Sequence, residues 1–84
     1  MVTIRRVPEP DGTRYCIDDF PAYAEELRMR GIEPPPARFQ IFISNDTIRA
    51  IKQSSDDVEA QIALLFGISK STGIKYKVLP CSDD

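Results

Sequence analysis

The run Pro34-Pro35-Pro36 constrains this chain more than any other feature. Three ring-locked φ angles and three missing N–H groups in succession exclude helix and favour an extended polyproline II spacer. Residues 34–37 are therefore read as a stiff connector between residues 1–33 and residues 38–80, with residues 81–84 as an acidic tail. A chain of 84 residues is too short for two independent cores. Both segments are expected to form a single small domain, 1–84. As a ligand for an SH3 or WW domain the proline run is short and lacks a basic flank in the usual register.

Ahead of the connector, Val2 to Val7 reads as a strand, Pro8 to Gly12 as a turn and Thr13 to Ile17 as a second strand. Asp-Gly favours the turn because glycine tolerates positive φ and aspartate bonds its own backbone. A β-hairpin is the expected result, with Arg5, Arg6 and Arg14 on a solvated face. Asp18-Asp19-Phe20-Pro21 then carries a helix start, with an Asp as N-cap and a proline in the first turn. Phe20, Tyr23, Ala24 and Leu27 recur at i, i+3, i+4 and i+7, Glu26 and Arg30 sit at i, i+4, and Gly31 supplies the stop. The carboxylates of Asp18, Asp19, Glu25 and Glu26 are read as caps and a solvated face, since nothing nearby would perturb their pKa values.

Beyond the connector, Arg38 to Ser44 alternates Phe39, Ile41 and Ile43 against Gln40, Phe42 and Ser44, the pattern of a strand buried on one face and partly on the other. Asn45-Asp46 fits either a hairpin turn or the start of a short helix from Asp46 to Gln53 capped by Ser44 or Asn45. Ile48 and Ile51, three apart among good helix formers, favour the helix. Ser54 and Asp57 have the spacing of a capping box, and Asp56, Asp57 and Glu59 put negative charge at the positive end of the helix dipole. Val58, Ile62, Leu65 and Phe66 then give a buried stripe ending at Gly67. The fold class is α+β: hairpin, helix, further strand, and a final helical segment.

Composition narrows the function. The hydrophobic share of 42% and charged share of 29% are those of an ordinary globular protein. The chain has no histidine, which removes the usual general base, the Cys/His nucleophile pair and the commonest metal ligand. Two cysteines make no structural zinc site within one chain, so the expectation is a non-enzyme without cofactor or metal. A carboxylate-based nuclease has no paired site to support it. Ile62 to Phe66 is the longest apolar run and is far too short to span a bilayer, and Val2-Thr3-Ile4-Arg5-Arg6 lacks the apolar core of a signal peptide. A cytoplasmic home is expected, with Cys16 and Cys81 as reduced thiols. Net charge is −2 and the pI about 5.0, which argues against a dominant nonspecific grip on phosphate.

Within Ala60 to Tyr76 the residue types and spacing together suggest a task. Ala63 stands four positions before Gly67, and Ile68 and Ser69 follow. This resembles the centre of a helix-turn-helix DNA-binding unit, with Thr47 to Ser55 similar to the first helix of the small units in resolvase-like and phage regulatory proteins; the resemblance covers residues 45–78. It implies a sequence-specific DNA-binding protein, a transcriptional regulator acting as a homodimer. In it Ile68 plugs the gap between helices and Ser69 caps a second helix that carries Lys70, Ser71, Thr72 and Lys75 to the DNA, while Arg49, Lys52 and Lys77 contact flanking backbone. Gly73 departs from the family pattern, which places Val or Ile there. Ile74, Tyr76 and Val78 alternate with Lys75 and Lys77, the period of a strand, so the last element is open between helix and strand. With the strand, Ser71-Thr72-Gly73 is a turn and residues 74–79 close a sheet. The alternative function is then a small protein-interaction module or inhibitor of phage or mobile-element type that binds a protein partner and not DNA. A phosphate loop is excluded, because no Gly-Lys-Ser/Thr follows Gly67.

Overall fold

The computed structural model describes residues 1–79. Its first strand, β1 (Val2–Glu9), pairs antiparallel with β2 (Gly12–Ile17), with Glu9 opposite Gly12, so that the turn proper is Pro10-Asp11. The hairpin is longer than the expected Val2–Val7 and Thr13–Ile17. Gly12 serves a purpose other than positive φ, which only Gly31, Gly67 and Gly73 adopt among the described residues. A Cβ on Gly12 would stand 2.9 Å from Ser44 Cα and inside van der Waals contact of the Ile43 carbonyl oxygen. The glycine lets the neighbouring strand approach.

Helix α1 (Phe20–Met29) starts as its sequence dictates: the Asp19 carboxylate accepts from the Ala22 N–H, Pro21 occupies the first turn, and Gly31 at φ 75° follows the end. Tyr23, Ala24 and Leu27 are buried. The proline segment that follows is neither helix nor strand, and it does more than separate: Pro35 lines a groove together with Tyr23, Leu27 and Phe66. Strand β3 (Gln40–Ser44) then pairs antiparallel with β2. Ser44 ends the strand and caps α2 (Asn45–Ser54), its hydroxyl accepting from the Thr47 N–H. Asn45 is neither hairpin turn nor cap. It ties α2 to the first hairpin through Asn45 N–H to Asp11 O and Asn45 Nδ2 to Pro10 O, at 3.0 and 3.3 Å.

After α2 the chain crosses the helical layer through α3 (Val58–Leu65) and reaches the opposite edge of the sheet as β4 (Tyr76–Val78), parallel to β1. The strand order is β3-β2-β1-β4. Val2, Ile4, Tyr15 and Ile43 on one sheet face join Tyr23, Leu27, Ile62, Ala63 and Phe66 of the helical layer in one core. Edge-to-face contacts link Phe20, Tyr23, Phe66 and Phe39, with centroids 5.7 to 6.4 Å apart. The other sheet face carries Arg5, Val7, Arg14, Cys16, Gln40, Phe42 and Lys77, by alternation from the core residues, and no helix among the described residues covers it.

Candidate functional site

The helix that anchors the motif is capped by Asp57, whose carboxylate accepts from the Ala60 N–H at 3.0 Å. Ser54 takes no part in a capping box, since its hydroxyl bonds the Ile51 carbonyl at the end of α2. On α3, Ile62 and Ala63 are buried and Phe66 follows them into the core. Leu65, expected in the buried stripe, is 49% exposed, and its neighbour Leu64 is 50% exposed. The Phe66 carbonyl, orphaned at the helix end, accepts from the buried Tyr23 hydroxyl at 2.6 Å. Gly67 then reverses the chain at φ 77°, and Ile68 plugs the core. To this point the residues stand as a helix and tight turn require.

No second helix follows among the described residues. Ser69 to Thr72 close a single turn: the Thr72 N–H and hydroxyl both donate to the Ser69 carbonyl, and the Ser69 N–H bonds the Thr72 hydroxyl in return. Ser69, expected to cap a helix, instead anchors this turn. Gly73 at φ 71° ends it, Ile74 is buried, and the Ile-Lys-Tyr-Lys-Val alternation resolves as β4. The physical cause is a short-range competition. A threonine that bonds backward and a glycine in left-handed backbone both stop helix propagation, and a parallel partner in β1 is waiting. The Arg30 guanidinium, paired with Glu26 at 2.9 Å, also donates to the Thr72 carbonyl and ties the turn to α1.

The seven residues assigned to a DNA surface do not share a face. Lys70 and Ser71 are exposed on the turn, with Thr72 half-buried beneath them. Lys77 pairs with Thr3 on the open sheet face, and Lys75 shares its phase along the chain. Arg49 and Lys52 are exposed on α2, which packs over β2 and β3 at the far side of the sheet, and Arg49 pairs with Asp46.

What the fold does assemble is a pair of grooves on either side of the Leu64-Leu65 ridge. The larger, about 570 Å³, lies between α3 and β4; Leu64, Ile68, Ile74 and Tyr76 supply its apolar wall and Asp57, Gln61 and Lys70 its polar rim. Burial, followed by the nearby charges of Asp57 and Glu59, raises the Tyr76 pKa above its ordinary value of 10.0. The smaller groove, about 250 Å³, runs between Leu65 and the Ile32–Pro35 segment, with Phe39 and Leu27 at its base. Spacing assigns Leu65 to the buried stripe and leaves Leu64 outside it, yet the two are exposed alike. Periodicity could not signal this, because Leu64 and Leu65 straddle the edge of the buried stripe.

Among the described residues no group of three or more Cys, Asp or Glu is placed to hold a metal ion, and no helix is long and apolar enough to cross a membrane. Cys16 lies on the open sheet face and has no disulfide partner among the described residues. Cys81 and the acidic tail lie outside the described residues. Neither protein-family models, curated proteins nor solved structures give a match to this chain.

Proposed function

We propose that this chain is a small protein-interaction module that docks a protein partner on the Leu64-Leu65 ridge and its flanking grooves. The observation that carries the reading is the exposure of two adjacent leucines at about half their surface, each forming the wall of a groove, in a chain of only 84 residues. Exposed apolar side chains scattered singly are ordinary; a contiguous ridge between concave apolar surfaces is the geometry of a docking site. The net charge of −2 agrees with a partner other than bare phosphate backbone.

The test is retention of partners on the immobilised chain from a lysate of the cells that make it, with and without nuclease. One protein retained after nuclease treatment supports the module. Leu64→Asp is expected to weaken that retention by about tenfold or more, as loss of a central apolar anchor does. Its unfolding midpoint should stay near that of the parent, because the side chain is half in solvent already. Retention that disappears with nuclease would sink the reading and favour a second one, a homodimeric DNA-binding regulator. That second reading draws on the buried Ala63, the left-handed Gly67 and the plugging Ile68, which keep the first half of a helix-turn-helix arrangement.

A further inference from the structure

Strand β4 is an edge. It pairs with β1 on one side and with no strand on the other among the described residues. The Lys75 carbonyl accepts from the Val2 N–H and the Leu79 N–H donates to the Ile4 carbonyl, at 2.9 and 2.8 Å, so the backbone groups of 75, 77 and 79 are directed at β1. Because these groups alternate in direction along a strand, those of Tyr76 and Val78 point outward, where an added strand would pair. The larger groove opens between this edge and α3. On its side of the sheet a pairing strand meets the apolar wall of Leu64, Ile74 and Tyr76. On the other side it meets Lys77 and, in the same phase, Lys75, both exposed and without an ion pair among the described residues. Lys70 adds a third exposed cation on the groove rim, while the Asp57 carboxylate is engaged as the cap of α3.

We infer that the free edge of β4 takes an extended partner segment that alternates apolar and acidic residues, the apolar ones entering the groove below α3 and the acidic ones lying beside Lys75 and Lys77. The inference rests on the protein-interaction reading and names the segment that reading requires. Main-chain bonds supply affinity in such strand addition, and alternate side chains supply the choice of sequence. A second copy of β4 is a poor occupant, since pairing two such edges sets lysine against lysine, the device by which edge strands avoid their own kind.

The experiment pans a displayed library of random peptides about ten residues long, enough for one strand, on the intact chain. Selected peptides should carry apolar residues at every second position with Asp or Glu between them. Binding should move the amide resonances of Tyr76 and Val78. N-methylation should abolish binding at alternate peptide nitrogens and spare the others. The double substitution Lys75→Glu, Lys77→Glu, at two exposed positions, should weaken acidic peptides by about tenfold and turn selection toward basic ones. Peptides with apolar residues spaced three and four apart, peptides indifferent to the lysine reversal, or no peptide at all would each overturn the inference. Failure of the underlying reading looks different: there the protein retained from lysate is lost with nuclease. Helix-spaced peptides blocked by Leu64→Asp would end strand addition and leave the module standing.

Discussion

Tyr23 joins two distant parts of the chain through one atom. Its ring sits at 1% exposure between Phe20 and Phe66, and its hydroxyl closes the open end of α3 by donating to the Phe66 carbonyl. Removing that hydroxyl with Tyr23→Phe leaves the ring packing intact and strands a buried carbonyl, a change that costs about 1 to 3 kcal/mol. The same residue gives the protein an alkaline limit. Burial raises the Tyr23 pKa above its ordinary 10.0, so the folded state holds a proton that the unfolded chain gives up. That contribution is complete below pH 10 and is lost as pH rises toward and through the folded value. Urea unfolding of the parent should show a midpoint that falls steeply above pH 10, and Tyr23→Phe should start lower and fall less steeply, with Tyr76 as a remaining source of decline. Equal slopes for the two proteins would show that Tyr23 does not titrate with unfolding. The spacing of Phe20, Tyr23, Ala24 and Leu27 was enough to place this ring in the core. Its hydrogen-bond partner, 43 positions away, was not legible, because no local pattern records which orphan carbonyl tertiary packing will bring within reach.

Helix ends divided what the sequence could and could not reveal. Asp19 and Ser44 cap α1 and α2 with the side chains local chemistry favours, and Gly31 and Gly67 follow α1 and α3 in left-handed backbone. At α3 two capping solutions shared one stretch. Ser54 and Asp57 have capping-box spacing, yet the helix begins one residue after Asp57, which leaves Ser54 bonded to its own helix. A box requires the serine to be the cap; here the aspartate is. Asp57→Ala should therefore lower stability by about 1 kcal/mol, the usual cost of an N-cap, whereas Ser54→Ala should change the unfolding midpoint little. A larger effect from Ser54 than from Asp57 would restore the box. The same contest decided the last element. Ser69 had the credentials of a cap, but Thr72 satisfied its backbone first and Gly73 closed the turn, so a resemblance sound through Ile68 stopped at the residue where local bonding and β1 pulled the chain elsewhere.

The whole sheet depends on a pairing between the two ends of the described chain. The α+β class and the hairpin could be read from alternation and turn residues, whereas the last element stayed open between helix and strand, and the strand that forms is Tyr76–Val78. The order β3-β2-β1-β4 could not be read, since alternation tells which residues face inward and nothing about which edge a strand joins. That order has a kinetic consequence. The β1–β2 pairing closes across a two-residue turn, while the β1–β4 pairing joins Ile4 to Val78 and requires nearly the full chain to be brought together. Folding should therefore build the hairpin early and dock β4 after the rate-limiting step. Val78→Ala, at a half-buried position, is expected to cost about 1 to 2 kcal/mol, almost all of it as faster unfolding. Ile17→Val, which trims the hairpin opposite Ile4, is expected to slow folding instead. Stopped-flow chevrons for the two variants separate these outcomes. If Val78→Ala slows folding as much as the hairpin variant does, the long-range pairing is already present in the transition state, and β4 is then part of the nucleus rather than the last strand to arrive.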